Sequence, residues 1–378
     1  MNNLIPVLKP KLPTADKILP YLQQIDHNRW YGNFGPLVLA TQERIAKLFG
    51  SSDAEQVVMV ANGTIGLTVA LQALEVQRGG YCVMPSWTFT ATPAAALAAG
   101  LTPAFIDVDI DTQSITPQRV KAILKSTDKL ISAIIPVSPF GHPIDVAAWD
   151  RFTEETGIPV VIDAAAAFDS FATSRIKIGH TPTMISMHAT KIMGTGEGGL
   201  LVSTNKDVNH RIRKIINFGF ESNRLSHRIA INGKPSEYNA AIAMAVLDEW
   251  PLIRSSWAAV QQRYIDAFTP HGIECWMHPE WVTTTCNIII PDCAVDMSHK
   301  LRDIGIDNRR WWETGCHAHP AYRTFPVLEE LANTQFLGQS MLGVPAAMDI
   351  SAETQAVVVE KTIQIFRDMQ QNAMQLLA

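Results

Sequence analysis

Residues 160–165 read VVIDAA, a short apolar run that ends on the carboxylate of Asp163. The run is entered through Pro159 and is rich in β-branched residues, so it predicts a buried strand. An unpaired carboxylate at the end of a buried strand is unfavourable, so Asp163 needs a partner. Two partners are open at this point: the amides of a helix that starts at Ala164, or a protonated ring nitrogen of a bound cofactor.

Apolar runs alternate with helical patterns on both sides of this strand, and the alternation predicts the fold class. The predicted strands are residues 57–60, 81–84, 104–108, 131–137, 160–162, 185–188 and 200–203. The predicted helices are residues 65–74, an alanine-rich segment near 94–100, residues 117–125 and 146–156, and a mostly helical region at 15–49 with a break at 30–36. We therefore expect an α/β fold with a mainly parallel sheet covered by helices on both faces.

The pattern changes after about residue 245 to a long helix, scattered strands and a C-terminal helix. We therefore predict a large domain at residues 1–245 and a smaller C-terminal α+β domain at residues 246–378. Ligands on parallel sheets bind beyond the carboxyl ends of the strands. Asn62, Pro85, Asp163 and His188 fall at or just after predicted strand ends, so we expect the site there.

Composition narrows the classes of function. The 378-residue chain has a net charge of −5, which gives no electrostatic reason to expect binding to nucleic acid or a membrane surface. An anionic substrate would therefore need a local cationic site. The first residues, MNNLIP, lack the features of a signal peptide, and the apolar region at 94–100 is too short to cross a bilayer. We expect a cytoplasmic protein.

The cysteines argue against a disulfide framework and against a thiolate zinc site. There are five, an odd number, and no C-x-x-C pair occurs. Another metal candidate, Cys316-His317-x-His319, offers closely packed ligand types without a distant partner. We therefore predict no metal centre.

Lys191 is the most informative residue of the chain. It ends the segment SMHATK at residues 186–191, and the glycine-rich segment GTGEGG follows at residues 194–199. A lysine could bind an aldehyde cofactor as a Schiff base, Ser186 could hold its phosphate, and Asp163 could balance a ring nitrogen. These are the demands of pyridoxal phosphate chemistry. A solvated surface lysine is the alternative. A dinucleotide-binding fingerprint is rejected, because the glycines precede a strand instead of opening a helix.

Three further segments each allow two interpretations. Asn62-Gly63-Thr64 could bind a phosphate at a helix start or could simply cap that helix. Trp87 and Phe89 could stack on a flat cofactor ring or pack in the core. Arg309-Arg310, beside Trp311-Trp312, could bind the phosphate and the sugar or base of a substrate, or could form a surface turn.

Several segments, in order, resemble the DegT/DnrJ/EryC1/StrS family, the sugar-nucleotide aminotransferases of fold type I. They are Asn62-Gly63-Thr64, Pro85-Ser86-x-Thr88-Phe89, Phe105-x-Asp107-Val108-Asp109, Pro136-Val137-x-x-x-Gly141, Ile162-Asp163-Ala164-Ala165, Ser186-x-His188-x-x-Lys191 with Gly196-Glu197-Gly198-Gly199, Asn232-Gly233-Lys234, Ser236-Glu237, and Gly305-Ile306 with Arg309. The likeness covers nearly the whole chain. It implies a fold type I aminotransferase with pyridoxal 5'-phosphate as cofactor.

The resemblance also implies roles for single residues. Lys191 and Asp163 would be catalytic, with Lys191 bound to the cofactor's aldehyde and Asp163 paired with its ring nitrogen. Asn232 would reach the phosphate of the neighbouring subunit, so the active unit would be a homodimer with shared sites. The remaining cofactor-binding residues would be Gly63, Thr64, Phe89 and Ser186, and Arg309 would belong to the family's substrate segment. We also predict that Arg310 and His317 bind the substrate.

The expected reaction moves an amino group from glutamate to a keto group of a dTDP- or UDP-linked deoxy-sugar. The product would serve a surface polysaccharide, such as a lipopolysaccharide O-antigen, or a glycosylated metabolite. The alternatives are a fold type I transaminase acting on a small non-nucleotide ketone, and a cofactor-binding regulatory protein without turnover. Lys191 argues against the dehydratase branch of the family, in which the lysine is replaced. One departure is Ala166, where the family often places glutamine or histidine near the cofactor's ring hydroxyl.

Overall fold

The computed structural model describes residues 4–221 and 223–377, with side chains through residue 371. Two helices come first, α1 at Ala15–Asn28 and α2 at Pro36–Leu48. They confirm the helical region predicted at 15–49 and its break. α2 has proline at its first position, where a missing amide N–H is tolerated.

Strands and helices then alternate, as predicted. The strands are β1 Val57–Val60, β2 Tyr81–Pro85, β3 Thr102–Ile106, β4 Ile131–Ile134, β5 Ile162–Asp163, β6 Thr183–Ser186 and β7 Gly199–Val202. The helices are α3 Gly63–Ala73, α4 Ala91–Ala98, α5 Pro117–Ser126, α6 Val146–Thr156, α7 Phe168–Ala172 and α8 Lys206–Ile215. β3 and β6 each begin and end two residues before the predicted bounds.

In the described part of the chain, these strands form one sheet in the order β3-β2-β4-β5-β6-β7-β1. The segments on either side of the β4–β5 junction are joined by parallel bridges from Ile134 to Val160 and from Val137 to Asp163. β7 runs antiparallel to both of its neighbours, and the other pairs are parallel. The predicted mainly parallel sheet is therefore confirmed.

Both faces of the sheet are buried, because successive strand residues enter different cores. Val57 and Met59 belong to one core, which also holds side chains of α2 and α6, and Val58 and Val60 belong to the other, with α3 and α8. Side chains alternate along a strand, so a strand covered on both faces must be apolar at every position. The VVMV sequence of β1 meets that demand.

The C-terminal part contains a small antiparallel sheet and several helices. Its elements are α9 Glu237–Phe268, β8 Glu274–Trp276, β9 Cys286–Ile289, α10 Ala294–Asp303, α11 Ala332–Ser340, β10 Met341–Val344 and α12 Ala352–Leu377, with the sheet order β10-β9-β8. The domain boundary drawn at residue 245 falls within α9 and stays a prediction. Among the described residues, none of the helices is long and apolar enough to cross a membrane.

Candidate active site

A cavity of about 700 Å³ opens at the carboxyl ends of β1, β2, β4, β5 and β6. This is the edge of the sheet at which the sequence placed the site. Six of the predicted cofactor-binding residues line the cavity: Gly63, Thr64, Phe89, Asp163, Ser186 and Lys191. They come from separate turns, and the sheet order brings those turns together.

Asp163 lies at the end of β5 and is buried, with 4% of its surface exposed. Its Oδ2 accepts a hydrogen bond from Thr92 Oγ1 at 2.7 Å, and its Oδ1 accepts one from the Ala165 N–H at 3.2 Å. Burial raises the pKa of the Asp163 carboxyl, while these hydrogen bonds and the positive charge of Lys191 lower it. The next helix, α7, begins at Phe168, so the alternative of a helix that starts at Ala164 is wrong.

Lys191 lies in the turn that joins β6 to β7. The Met187 N–H donates to Gly198 O at 2.9 Å and the Ala189 N–H donates to Gly196 O at 2.8 Å, so the turn closes like a hairpin. Gly196 has φ +91°, a conformation that favours glycine. Burial lowers the pKa of the Lys191 amine, and Asp163 opposes that effect. A more readily neutral amine is a better nucleophile toward an aldehyde.

The start of α3 forms a cradle for an anion. Asn62 caps the helix by accepting from the Ile65 N–H at 2.9 Å, which confirms the capping interpretation. A Cβ added to Gly63 would lie 2.9 Å from Met184 Sδ and 3.5 Å from Ser186 Cβ, so Ser186 sits close against the helix start. The positive end of the helix dipole, with the hydroxyls of Thr64 and Ser186 on the cavity wall, fits a phosphate. The phosphate role stays a prediction.

Trp87 and Phe89 take different positions. Trp87 is 2% exposed, packs edge-on against Trp312 at 5.2 Å between ring centroids, and donates to Gln113 Oε1 at 3.2 Å. Phe89 is 59% exposed and lines the cavity. Trp87 is therefore a core residue, and Phe89 is the aromatic that is free to stack on a ligand.

The remaining predicted site residues do not line the cavity in the described part of the chain. Asn232 is exposed and pairs with Asn217 through its backbone, and Arg309 is exposed and pairs with Gly343. His317 Nδ1 lies 2.7 Å from the Ser86 hydroxyl.

Arg310 is engaged elsewhere in the fold. Its Nη2 donates to Gly338 O at 2.8 Å, and its Nη1 lies 3.0 Å from Glu313 Oε2. Its guanidinium thus braces the end of α11, and the prediction that it binds substrate stays a prediction. The predicted role of Arg309 stays open.

Phe140 and Thr92 were missed in the sequence, whereas Trp311 and Trp312 were noted there beside Arg309 and Arg310. Phe140 and Trp312 stack at 4.2 Å between ring centroids and form an aromatic wall of the cavity with Trp311. Phe140 follows the predicted strand at 131–137, so its place at a strand end was a usable signal. Thr92, the partner of Asp163, gave no signal, because it lies within an alanine-rich segment.

The donor set of the cavity fits pyridoxal phosphate. A lysine with a depressed pKa, a buried carboxylate and an anion cradle match the aldehyde, the ring nitrogen and the phosphate of that cofactor. Ala166 also lines the cavity and offers no polar side chain there. Within the described residues, His, Cys, Asp and Glu side chains form no cluster that could hold a metal ion, and all five cysteines are free thiols.

Known proteins are similar to this chain in sequence over two thirds of its length or more. A protein of Mycobacterium tuberculosis, Rv3402c, is 29% identical over 372 residues, covering 94% of this chain and 88% of that protein. The dTDP-4-amino-4,6-dideoxy-D-glucose transaminase of Shigella dysenteriae is 33% identical over 250 residues, covering 66% of each chain.

Solved structures agree with the fold. A putative PLP-dependent aminotransferase from Bacillus cereus superposes with a TM-score of 0.87 at 27% identity, covering 95% of this chain and 99% of that one. DesI, crystallised in the presence of its TDP-sugar product, superposes with a TM-score of 0.83 at 26% identity, covering 100% of this chain and 96% of that one. The family pattern itself matches residues 14–363, so the chain is a pyridoxal phosphate-dependent enzyme and belongs to the DegT/DnrJ/EryC1/StrS aminotransferase family.

Proposed function

We propose that this aminotransferase moves the amino group of glutamate to the keto group of a nucleotide-linked deoxy-sugar, with dTDP or UDP as the nucleotide. The observation that carries the proposal is the meeting of Lys191, Asp163 and the α3 cradle in one cavity of about 700 Å³. The Shigella dysenteriae relative named as a dTDP-sugar transaminase and the DesI complex with a TDP-sugar support the class of substrate.

Bound pyridoxal phosphate supplies an electron sink that lets an amino group pass between two carbon skeletons. Lys191 would hold the cofactor through its aldehyde, and its amine would move the proton at the reacting substrate carbon. Its depressed pKa suits both tasks, because the neutral amine is both the nucleophile and the base. Asp163 would pair with the ring nitrogen of the bound cofactor and keep it protonated.

The walls of the cavity position the flat and the anionic groups. Phe89 is exposed to the cavity and is proposed to stack on the cofactor ring. Thr64, Ser186 and the first amides of α3 would hold the phosphate. The stacked pair of Phe140 and Trp312 offers an apolar face to the sugar or its base.

The diphosphate of the proposed nucleotide-sugar substrate needs cationic partners, and few cationic side chains line the cavity. Lys191 and His188 line the cavity, together with Asp163 and Glu197. We propose that Arg309, which is exposed and stands two residues before Trp311, contacts the substrate phosphates, whereas the Arg310 guanidinium donates to Gly338 O. We further propose a cytoplasmic homodimer in which Asn232 reaches the phosphate of the neighbouring subunit.

The test is a two-step assay of the cofactor-loaded enzyme. Glutamate alone should convert the bound cofactor to its aminated form, followed by absorbance, and a nucleotide keto-sugar should then restore the starting spectrum. A panel of dTDP- and UDP-linked keto-sugars should be compared with small ketones that lack a nucleotide. Restoration by small ketones alone would favour a non-nucleotide transaminase and overturn the substrate class. Failure of glutamate with success of another amino acid would overturn only the donor.

A further inference from the structure

The Asp163 carboxylate stands at one end of a chain of two buried threonine hydroxyls. Thr92 Oγ1 lies 2.7 Å from Asp163 Oδ2, and Thr88 Oγ1 lies 2.7 Å from Thr92 Oγ1. Both threonines are buried, with Thr88 1% and Thr92 0% exposed. Thr92 does not line the cavity, although Thr88 does, and Thr92 reaches the site through its direct contact with Asp163.

The hydrogen bonds that join Thr88, Thr92 and Asp163 form a hydroxyl chain, and they have one direction when Asp163 is ionised. A hydroxyl carries one proton, and an ionised carboxylate can only accept. Thr92 must therefore donate to Asp163, and Thr88 must then donate to Thr92. Two aligned O–H groups reinforce each other, since the first bond polarises the hydroxyl that makes the second.

Hydrogen bonds of the backbone hold the two threonines of the hydroxyl chain in place. Thr92 is the second residue of α4, and its N–H donates to Phe89 O at 3.2 Å. Thr88 is held by its own N–H, which donates to Ser86 O at 3.0 Å, and by the Cys316 thiol, which donates to Thr88 O at 3.1 Å. These backbone hydrogen bonds restrain both residues, so that the Thr88 hydroxyl contacts that of Thr92 and the Thr92 hydroxyl contacts the carboxylate.

The charged group that acts on Asp163 from across the site is Lys191, on the turn after β6. His188 and Glu197 are the other titratable side chains that line the same cavity. Asp163 Oδ1 already accepts from the Ala165 N–H, so Thr92 is the side-chain donor to its other oxygen. Burial alone would favour the neutral acid.

We propose that Thr92 is a positioning residue that keeps the carboxylate of Asp163 ionised and oriented, and that Thr88 completes this two-hydroxyl chain. Its importance for catalysis rests on the proposed pairing of Asp163 with the cofactor's ring nitrogen. Removing the Thr92 hydroxyl takes a donor from an ionised, buried acceptor, so the carboxyl should hold its proton to higher pH. The side-chain volume need not change.

The test compares Thr92→Val, which keeps the shape, with Thr92→Ser, which keeps the hydroxyl. Thr362→Val is the matched control, because Thr362 is equally buried in α12 and its hydroxyl donates to Val358 O at 2.7 Å. The measurement is the ¹³C titration of the Asp163 carboxyl in the full chain without added cofactor, with the resonance assigned by its loss in Asp163→Asn. Thr92→Val should raise the midpoint by about one pH unit, a tenfold change in the ionisation equilibrium. Thr92→Ser and Thr362→Val should stay near the wild type.

A second readout uses the loaded enzyme. The acid limb of the pH profile of kcat/KM should move up with the carboxyl midpoint in Thr92→Val and return in Thr92→Ser. Thr88→Val should raise the carboxyl midpoint by a smaller amount, and it decides the question if Thr92→Val does not fold. An unshifted carboxyl midpoint in Thr92→Val, or in Thr88→Val, would overturn the proposed hydroxyl chain. If the midpoint shifts but Asp163→Asn keeps full cofactor binding and turnover, the chain stands and the proposed role of Asp163 falls.

Discussion

At the scale of single residues, the environment of Lys191 sets the reactivity of its amine. Burial lowers the pKa of the Lys191 amine, and burial also lowers the pKa of Lys234. What separates the two is position: Lys191 lines the cavity with Asp163, whereas Lys234 lies over the ring of Phe218 at 4.6 Å. Reactivity toward an aldehyde cofactor should therefore concentrate on Lys191.

We expect Lys191→Ala to abolish turnover and covalent cofactor binding while the far-ultraviolet spectrum stays that of the wild type. The reason is that no other amine lines the cavity among the described residues. Borohydride reduction followed by mass spectrometry should place the cofactor on Lys191 in the wild type and in a Lys234→Ala control. Cofactor attached to a different lysine would disprove the assignment of Lys191.

Substitutions of the two adjacent arginines should have different effects on stability and on activity. Arg310→Ala removes donors to Gly338 O and should lower the free energy of unfolding by about 1–3 kcal/mol, measured by chemical denaturation. Arg309→Ala should leave that free energy unchanged and weaken only the nucleotide-sugar half-reaction, measured by stopped-flow. Equal loss in both half-reactions for Arg309→Ala would show that the phosphate contact lies elsewhere.

At the scale of elements, the sequence predicted best where local signals mark both ends. α6 matches its predicted bounds, because Asp145 caps its start by accepting from the Ala148 N–H and Gly157 ends it with φ +69°. α7 was not predicted, since it has five residues and lacks a side-chain cap. The first strands were found because both of their faces are apolar.

The site was predictable where chemistry sits at strand ends and unpredictable where distant segments meet. Asp163 ends β5 and Lys191 lies in the turn after the neighbouring strand β6, so the ends of adjacent strands place them near each other. The partners of Arg310 and His317, Gly338 O and the Ser86 hydroxyl, come from remote parts of the chain. No local sequence pattern indicates such contacts. The substrate roles of Arg310 and His317 were therefore predicted without knowledge of these contacts.

Glu237 links two helices and gives a test of element stability. Its buried carboxylate accepts from the N–H groups of Leu37 and Val38, both at 2.9 Å, and so satisfies the start of α2 from the first turn of α9. Glu237→Gln replaces one accepting oxygen with a donor that faces an N–H. We expect the free energy of unfolding to fall by about 1–3 kcal/mol in urea denaturation.

The control for this variant is Glu353→Gln, in the exposed first turn of α12. It should leave the denaturation midpoint where it is in the wild type. A Glu237→Gln midpoint that coincides with the control would mean that the contact to α2 adds nothing to stability.

At the scale of the whole molecule, several large apolar side chains remain exposed. They include Phe218 at 45% and Ile229 at 94%, on the segments that lead to the backbone pair of Asn217 and Asn232. Exposed apolar side chains that group together often mark a protein interface. They support the predicted homodimer, although the dimer itself stays a prediction.

We expect light scattering to report a dimer for the wild type and for Asn232→Ala. The variant should release cofactor more readily, measured by dialysis and absorbance, because the proposed partner contact to the phosphate is lost. A fully active monomer would contradict the shared site, and unchanged cofactor retention in the variant would remove Asn232 from it.

The pairing of β7 with β1 has a consequence for the folding of the protein during its synthesis. β1 is the first strand to leave the ribosome, yet its neighbour in the sheet is β7, with Val57 opposite Val202. Until β7 has been synthesised, β1 lacks that partner and its apolar residues have an open edge beside them, which favours aggregation. A nascent chain stalled before residue 199 should therefore need chaperone protection, and its release from that protection should coincide with the arrival of the glycine-rich turn and the strand behind it.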